Sequence, residues 1–279
     1  MKHQIAVVTG SSSGFGLLTS LELAQKGFHV IATMRDMTKG FPLVNQAERL
    51  GVKDRIQLFE LDVTSNHSIN NWRIFMEELG RIDVLVNNAG YAGAGFVEEI
   101  PVEEYRKQFE TNVFGVISIT QAVLPMMRKQ RKGRIINVSS ISGRIGFPGL
   151  SPYITSKYAL EGWSESLRLE MKPFGIDVVI IEPGSFQTNI WSSGKQVTEK
   201  SLKASSPYYE QMKKLEHHIE IGANKLGDPV QVAKLIANIA QKKQTTLRYK
   251  VGKGVKIMII FKFVLPWRLW EKLLLKQLK

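Results

Sequence analysis

Short runs of apolar, mostly β-branched residues alternate with longer amphipathic segments along most of the chain. Seven of the short runs predict buried β-strands, near residues 4–9, 28–33, 55–61, 82–87, 133–139, 175–182 and 247–251. The longer segments predict helices near residues 14–26, 42–50, 67–79, 103–130, 152–172 and 228–242. Strands that alternate with helices are typical of an α/β fold, in which helices cover both faces of a parallel sheet.

The chain is predicted to form one domain with a tail. Its 279 residues are 43% hydrophobic, which is enough for a large core. No linker rich in Pro, Gly or Ser, no internal repeat and no low-complexity tract divides it. We therefore assign residues 1–251 to a single domain and residues 252–279 to a C-terminal tail.

The tail is both basic and apolar. The chain has a net charge of +13, and residues 250–279 hold eight Lys or Arg against the single Glu271. Basic residues interrupt the apolar run, so it lacks the roughly 20 apolar residues of a membrane-spanning helix. From Trp267 onward, one helix face holds Trp267, Trp270, Leu274 and Leu278, and another holds Arg268, Lys272, Lys276 and Lys279. Residues 256–279 are thus predicted to be an amphipathic helix that binds a membrane surface, packs over a pocket or forms a subunit interface. Nucleic-acid binding is disfavoured, because the charge accompanies wide apolar surface and no recognition motif.

Composition excludes some chemistry. The chain has no cysteine, which rules out disulfides and thiolate catalysis. Its five histidines show no metal-ligand spacing, and no metal site is predicted. Residues 1–3 lead directly into the first strand without a signal peptide, so we expect a cytoplasmic location, peripheral on the inner membrane surface if the tail binds there.

A glycine-rich turn joins the first predicted strand to the first predicted helix. Gly10, Gly14 and Gly16 are spaced Gly-x-x-x-Gly-x-Gly. Glycine lets a backbone approach a ligand closely, and the free N–H groups of a helix start attract anions. The turn therefore predicts a pyrophosphate site, although it could also be only a tight turn. The same segment fits the Gly-x-Ser-x-Gly elbow of hydrolases, but that elbow needs upstream strands and an oxyanion loop, and only nine residues precede it.

Polar residues follow two further strands. Asp62-Val63 comes after the third strand, and Asn87-Asn88-Ala89-Gly90 ends the fourth. Ligands of open parallel sheets bind beyond the carboxyl ends of the strands, so these residues are predicted to meet at one site. An ordinary strand-to-helix turn is the alternative for Asn88, Ala89 and Gly90.

A serine, a tyrosine and a lysine suggest acid–base chemistry. Tyr153 and Lys157 are one helical turn apart, so their side chains share a helix face. A nearby ammonium is expected to lower the pKa of a phenol and make Tyr153 a usable general acid or base. Ser140 precedes Tyr153 by 13 residues, with Ser139 as the neighbouring alternative.

In combination, these motifs resemble the short-chain dehydrogenase/reductase family. The motifs are Thr9-Gly10-x-x-x-Gly14-x-Gly16, Asp62-Val63, Asn87-Asn88-Ala89-Gly90, Asn112, Ser140, Tyr153-x-x-x-Lys157 and Pro183-Gly184, in this order, over roughly residues 1–251. Residues 32–36 and 153–162 are most similar to the branch of 17β-hydroxysteroid and retinol dehydrogenases. The resemblance implies a single domain with a Rossmann-type, doubly wound parallel sheet. It also implies an enzyme that transfers a hydride between a nicotinamide and a carbonyl or alcohol.

The resemblance also implies roles for individual residues. Tyr153 would be the general acid/base, Lys157 would bind the nicotinamide ribose, Ser140 would donate to the substrate oxygen, and Asn112 would interrupt its helix and hold a water in a proton relay. The predicted cofactor-binding residues are Gly10, Ser13, Gly14, Phe15, Gly16, Arg35, Asp62, Val63, Asn88, Ala89, Gly90, Tyr153, Lys157, Pro183, Gly184 and Thr188.

NADP(H) is favoured over NAD(H). The family's NAD enzymes place an acidic residue at the end of the second strand, where this chain has Met34 followed by Arg35. A guanidinium suits a 2′-phosphate, and Ser13 could donate to the same group. Asp36 is expected to point away.

The substrate is predicted with less detail. By resemblance, residues 185–226 form a mobile lid, and Phe147, Leu150, Phe186 and Trp191 either line an apolar pocket or pack ordinarily. A bulky apolar carbonyl or alcohol, steroid-like, retinoid-like or long-chain, is expected. A homo-oligomer assembled through the two longest helices is implied as well. The competing hypothesis is a non-catalytic NADP-binding sensor or a membrane-associated scaffold of the same fold.

Overall fold

Seven parallel strands form the central sheet of the protein, whose computed structural model describes residues 4–191, 194–222 and 226–276. The strands of the described residues are β1 (Ile5–Val8), β2 (His29–Met34), β3 (Ile56–Glu60), β4 (Val84–Asn87), β5 (Ala92–Ala94), β6 (Gly133–Val138), β7 (Ile176–Pro183), β8 (Lys195–Val197) and β9 (Arg248–Val251). The main sheet has the order β3-β2-β1-β4-β6-β7-β9, while β5 and β8 pair with each other. All seven predicted strands are confirmed to within two residues at each end.

Helices cover both faces of this sheet. They are α1 (Gly14–Gln25), α2 (Phe41–Arg49), α3 (Asn66–Leu79), α4 (Val102–Phe109), α5 (Gly115–Gln130), α6 (Ser151–Met171), α7 (Tyr209–Gly222), α8 (Val230–Gln241), α9 (Val255–Val264) and α10 (Trp267–Leu275). Helices α1, α2 and α8 share one buried core, and α3, α5 and α6 share the other. The predicted α/β, doubly wound architecture is therefore confirmed.

The two cores follow from the period of a strand, in which successive side chains point to opposite faces. Along β1, Ala6 and Val8 enter the core under α1 and α8, whereas Val7 enters the core under α3 and α5. Because both faces of the sheet are covered, a strand can be apolar at every position. This is why the strands appear in the sequence as continuous apolar runs.

The chain reverses its direction of progress across the sheet between β1 and β4. From β1 it moves outward through β2 to β3, then crosses back to β4 on the other side of β1. The connections after β1 and β4 therefore leave the sheet on opposite sides and open a crevice at its carboxyl edge. The predicted site residues lie on these connections.

The structure differs from the predicted elements in four places. The helix expected over 103–130 is interrupted by a π-helical turn, Glu110–Phe114, between α4 and α5. The segment expected to be a lid contains β8 and α7, neither of which was predicted. Its apolar residues have helical spacing only near its end, where α7 lies. The tail is two helices, since Pro266 separates α9 from α10. The small sheet of β5 and β8 was not predicted, as its strands are only three residues long.

Parts of the predicted lid and tail, residues 192–193, 223–225 and 277–279, lie outside the described residues, as do residues 1–3. The predicted pocket position of the Trp191 side chain is outside the described structure too. Across the part of the chain that is described, no helix is long and apolar enough to cross a membrane. The same part contains no cluster of side chains that could hold a metal ion.

Candidate active site

A cleft of about 760 Å³ opens at the carboxyl edge of the main sheet. It brings together sixteen of the eighteen residues predicted for the site: Gly10, Ser13, Gly14, Phe15, Arg35, Asp62, Val63, Asn88, Ala89, Gly90, Ser140, Tyr153, Lys157, Pro183, Gly184 and Thr188. The two predicted residues that do not line it are Gly16 and Asn112.

The glycine-rich turn forms one wall of the cleft. Gly10 and Gly14 have φ of +69° and +54°, a left-handed conformation that favours glycine. A side chain at Gly10 would also collide with Ala89, whose Cα lies 2.9 Å from the place of a Cβ. Ser13 has an extended backbone and directly precedes α1, so the first N–H groups of that helix open onto the turn. This arrangement fits the phosphates of a dinucleotide.

Gly16 supports the turn from behind instead of contacting the cleft. A Cβ at this position would lie 2.2 Å from the Gly10 carbonyl oxygen and 2.5 Å from Asn88 Nδ2. The first turn of α1 therefore packs directly on the loop backbone. This close packing requires a glycine, and the role of Gly16 in cofactor binding stays a prediction.

Thr9 and Asn88 connect the loop after β1 to the loop after β4. Thr9 Oγ1 accepts hydrogen bonds from the backbone N–H groups of Asn88 and Ala89, both at 3.0 Å. Asn88 Nδ2 in turn donates to the carbonyl oxygens of Thr9 and Gly10, at 2.9 and 3.1 Å. The Asn88 amide thus holds the glycine turn in place. The motif includes Thr9, but sequence reasoning assigned it no role.

The end of β2 presents a cation to the cleft and turns its acidic residue away. Arg35 is exposed and lines the cleft. The Asp36 carboxylate accepts from the backbone N–H and the hydroxyl of Thr38, at 3.0 and 2.5 Å, and lies 3.7 Å from Lys39. The Thr38 hydrogen bonds hold the pKa of Asp36 below its ordinary value. Asp36 points away, as expected.

Asp62 and Val63 form the wall on the β3 side. Asp62 Oδ1 accepts from the backbone N–H of Thr64 at 2.9 Å and from its hydroxyl at 2.7 Å. The Asp62 N–H donates to Ser68 Oγ at the start of α3. These contacts fix the carboxylate at the rim, where the adenine end of a dinucleotide was expected.

Ser140, Tyr153 and Lys157 meet at the other end of the cleft. Ser140 follows β6, and its Oγ accepts from the Ser142 N–H at 3.1 Å. The Ser140 side chain is near the Tyr153 hydroxyl and acts to lower the pKa of that phenol. Lys157 Nζ donates to the Val138 carbonyl oxygen at 2.8 Å and lies 5.6 Å from the centre of the Tyr153 ring. The two hydroxyls can therefore reach one substrate oxygen.

Burial controls the protonation of this group. It raises the pKa of Tyr153 to about 12, although the Ser140 hydrogen bond acts in the opposite direction. It lowers the pKa of Lys157 to about 8, against the opposing effect of the Glu161 carboxylate. The expectation that Lys157 lowers the phenol pKa is not met, because the ammonium lies over the ring and is bonded to Val138, so desolvation dominates.

Asn112 lies in the π-helical turn, as its predicted interruption of the helix required. Its Oδ1 accepts from the Tyr91 N–H at 3.2 Å, and its Nδ2 donates to the Tyr91 carbonyl and to Ser156 Oγ, both at 3.1 Å. The side chain is buried outside the cleft lining. Asn112 thus clamps the loop after β4, and a Cβ at Gly90 would lie 3.0 Å from Asn112 Oδ1. The water relay through Asn112 stays a prediction.

Three residues that were expected either to line an apolar pocket or to pack ordinarily divide between these two alternatives. Phe186 lines the cleft and packs edge-on against Phe15, with ring centres 5.7 Å apart. Phe147 packs against the tail, and Leu150 precedes α6 outside the cleft lining. Lining residues that were missed include Tyr91, Asn189, Ile190 and Gln196.

The segment predicted to be a lid is tied to the chain near residues 96–104. The Tyr208 ring stacks on Phe96 with centres 4.6 Å apart, and its hydroxyl donates to Glu98 at 2.6 Å. Ser201 Oγ donates to buried Glu99 at 2.6 Å. These side-chain contacts join residues that are far apart in the sequence, so no local sequence pattern predicts them.

A cluster of buried charges lies one turn beyond Lys157 on α6. Arg248 Nε is 2.9 Å from Glu161 Oε2 and 3.2 Å from Glu182 Oε1. Arg144 Nη1 is 3.4 Å from the same Glu182 oxygen. Burial raises the pKa of Glu161. The cluster joins α6, β7 and β9 behind Lys157. It was not predicted from the sequence, because its members are far apart along the chain.

A nucleotide cradle at the switch point and a Ser-Tyr-Lys group beside it define a nicotinamide-dependent oxidoreductase. The family model described as short chain dehydrogenase matches residues 4–199. The chain belongs to the short-chain dehydrogenase/reductase family and is an oxidoreductase.

Relatives with assigned names include reductases and dehydrogenases. The chain is 48% identical to "Uncharacterized oxidoreductase YusZ" of Bacillus subtilis, over 100% of this chain and 99% of the relative. It is 35% identical to 3-ketodihydrosphingosine reductase of Bacteroides thetaiotaomicron, over 92% and 91%. It is 32% identical to retinol dehydrogenase 8 of Bos taurus, over 93% and 85%, which agrees with the predicted branch.

Solved structures share the fold along most of the chain. A short-chain dehydrogenase from Streptomyces avermitilis has a TM-score of 0.82 and 33% identity, over 98% of this chain and 97% of its own. ElxO, solved with NADP bound, has a TM-score of 0.74 and 27% identity, over 92% and 100%. A Burkholderia phymatum protein in complex with NAD has a TM-score of 0.78 and 22% identity, over 93% and 92%. Similar folds thus hold either nicotinamide cofactor.

Proposed function

We propose that this protein is an NADP(H)-dependent oxidoreductase that interconverts an apolar carbonyl compound and its alcohol. The observation that carries the proposal is the grouping of Ser140, Tyr153 and Lys157 at one end of a dinucleotide-sized cleft. The cofactor would be held by the turn at Gly10 and Gly14, whose left-handed backbone conformation favours glycine and lets a pyrophosphate approach closely.

When bound, the cofactor supplies a hydride to the carbonyl carbon or takes one from the alcohol carbon. In the reducing direction Tyr153 gives its hydroxyl proton to the carbonyl oxygen as that oxygen gains charge. Ser140 donates a hydrogen bond to the same oxygen and stabilises the charge. The Lys157 ammonium stabilises the phenolate that remains. Asn112 acts indirectly, through its contacts with Tyr91 and Ser156.

The preference for NADP(H) is supported by Arg35 at the cleft rim and by the engagement of Asp36 with Thr38. A guanidinium can bind a 2′-phosphate through two hydrogen bonds, whereas a carboxylate at the same place would repel it. Ser13, which also lines the cleft, provides a second donor.

The apolar substrate class is supported by Phe186 and Ile190 in the cleft and by the names of two relatives, 3-ketodihydrosphingosine reductase and retinol dehydrogenase 8. We propose a steroid-like, retinoid-like or long-chain substrate. The division into a catalytic domain of residues 1–251, with a substrate lid near 185–226, and a tail of residues 252–279 is part of this proposal.

The proposal extends to assembly and location. Phe114, Tyr158 and Leu169 are exposed apolar side chains on or beside the two longest helices, which supports a homo-oligomer. The basic tail supports a cytoplasmic protein that is peripheral on the inner membrane surface. Light scattering during size-exclusion chromatography measures the oligomeric state directly, and a monomer at micromolar concentration would contradict it.

The test is NADPH oxidation, with NADH in parallel, against steroid ketones, retinal and long-chain aldehydes. Turnover is expected to prefer NADPH and to disappear in Tyr153→Phe while NADPH binding survives. Arg35→Ala is expected to reduce the NADPH preference over NADH at least tenfold, which corresponds to about 1.4 kcal/mol. Tight NADPH binding without turnover on the whole panel would refute the proposed substrate class, and equal turnover by Tyr153→Phe would refute the role of the tyrosine.

A further inference from the structure

Large exposed apolar side chains are concentrated in the two tail helices. Of twenty such side chains in the described residues, ten lie within residues 257–275. They are Ile257, Met258, Ile260, Phe261, Phe263, Val264, Trp267, Leu269, Leu273 and Leu275. An apolar patch of this kind marks a surface that binds another apolar partner. We call these ten residues the tail face.

The tail face is held outward because the opposite side of both helices is anchored. Val255, Ile259 and Trp270 are buried and form a cluster with Ile145. Trp270 is only 3% exposed, whereas Trp267 on the same helix is 60% exposed. The two helices are therefore docked on the domain, and their outer side chains are presented in a defined orientation.

Basic side chains border the tail face. Lys256, Arg268, Lys272 and Lys276 are exposed, and Glu271 is the single acidic residue of the two helices. Lys262 Nζ lies 4.2 Å from the centre of the Trp267 ring, which places a cation beside an exposed aromatic side chain. Lysines and tryptophans beside apolar residues are the composition of helices that lie at the headgroup level of a bilayer.

We propose that the tail face is a docking surface for an anionic lipid bilayer. Helix α9 has 10 residues and is about 15 Å long, half the thickness of a hydrocarbon core, so the helices lie in the plane of the interface. A second copy of the chain fits less well, because two strongly basic tails would meet in one symmetric contact. Charge complementarity favours anionic headgroups over another copy.

The docked tail lies next to the catalytic group. The tail cluster includes Ile141 and Phe147, on the segment that begins at Ser140. The Val255 side chain fills the space beside Gly184 in the cleft wall, where a Cβ would be 2.6 Å from Val255 Cγ2. A bilayer under the tail face would thus be close to the cleft, and a membrane-dissolved substrate would enter from it. This last step rests on the proposed function, whereas the docking itself does not.

The test is flotation of the protein with vesicles of phosphatidylcholine alone or of phosphatidylcholine mixed with anionic phosphatidylglycerol. Phe261→Ser/Val264→Ser removes two exposed apolar side chains of the tail face. Its matched control is Phe41→Ser/Ile74→Ser, which removes two similarly exposed side chains from the domain. Lys272→Glu/Lys276→Glu reverses two tail charges, and Lys129→Glu/Lys243→Glu reverses two exposed charges elsewhere.

Wild type and both controls are expected to float with the anionic vesicles, and both tail variants to bind at least about tenfold more weakly. No flotation of wild type, or equal losses in the controls, would overturn the proposal. A concentration-dependent dimer that Phe261→Ser/Val264→Ser dissociates would identify a second copy as the occupant and overturn it as well. Turnover of a water-soluble carbonyl, measured without vesicles, reports separately on the proposed function.

Discussion

Replacing Thr9 with valine tests whether one hydroxyl holds the cofactor cradle together. Thr9 is 2% exposed, and valine has the same shape without the oxygen. The change removes the acceptor of two backbone N–H groups, those of Asn88 and Ala89, which lie 3.0 Å from Oγ1. The 3.4 Å hydrogen bond from the hydroxyl to the Val86 carbonyl is lost as well.

The cost follows from the number of donors left without a partner. Each buried N–H without an acceptor costs about 1–3 kcal/mol. Asn88 and Ala89 are half-buried, so water reaches them in part and the lower end of the range applies. We therefore expect Thr9→Val to destabilise the protein by about 2–3 kcal/mol, or a Tm lower by roughly 4–12 °C for a domain of this size. Weaker NADPH binding is expected too, since the two loops flank the cleft.

Thr33→Val is the matched control. Thr33 is 1% exposed, and its hydroxyl has no hydrogen-bond partner among the described residues. Removing an unpaired buried hydroxyl is neutral or stabilising. Thermal unfolding followed by circular dichroism, with and without NADPH, measures both variants. Equal Tm values for Thr9→Val and Thr33→Val would refute the reasoning, because it assigns the whole difference to the hydrogen bonds of Thr9.

Three further variants test the site. Lys157→Met is expected to raise Tm at pH 7 and to abolish turnover. Burial lowers the Lys157 pKa from 10.5 to about 8, so this lysine reduces the free energy of unfolding by about 3 kcal/mol below pH 8 and leaves it unchanged above pH 10.5. The same gain at pH 7 and at pH 10.5 would contradict this. Glu161→Gln is expected to lower the Lys157 pKa further. As the pH rises, reductase kcat/KM should then begin to fall at a lower pH than in wild type. Glu165→Gln, which removes a more exposed partner of Arg248, should leave the pH profile unchanged. Gly16→Ala is expected to weaken NADPH binding at least tenfold in equilibrium titration, whereas Gly162→Ala, with open space around its Cβ, should not.

The central sheet could be predicted because its information is local. The central parts of two such runs, residues 5–8 and 178–181, are apolar at every position, as a strand covered on both faces allows. The cleft lining was predictable for the same reason, since each motif directly follows a strand and the carboxyl ends of parallel strands share one edge. Arg35 and Asp36 could be assigned separate roles, because the Asp36 contacts are with Thr38 and Lys39.

The remaining features depend on contacts between distant parts of the chain. Thr9 bonds to a loop 79 residues away. Glu161 meets Arg248 across 87 residues, so no spacing rule connects them. Asn112 shows what a local pattern leaves out: the interrupted helix is present as predicted, but the contacts of the amide with Tyr91 and Ser156 are not visible in the sequence. Gly16 is similar, since its close contact with Asn88 joins two distant loops and is not visible in the sequence.

Burial of the catalytic pair bears on the direction of the reaction. With a pKa of about 12, Tyr153 is a neutral phenol at pH 7, the form that gives a proton to a carbonyl oxygen. Alcohol oxidation requires the phenolate instead, which burial disfavours. Lys157, with a pKa of about 8, still carries its charge on most molecules at pH 7 and can stabilise the phenolate after proton transfer. Carbonyl reduction near neutral pH therefore needs no prior ionisation of the site, whereas oxidation is expected to speed up as the solution becomes alkaline. Lowering the Tyr153 pKa through a closer cation would favour oxidation, and the position of Lys157 against Val138 works against that approach.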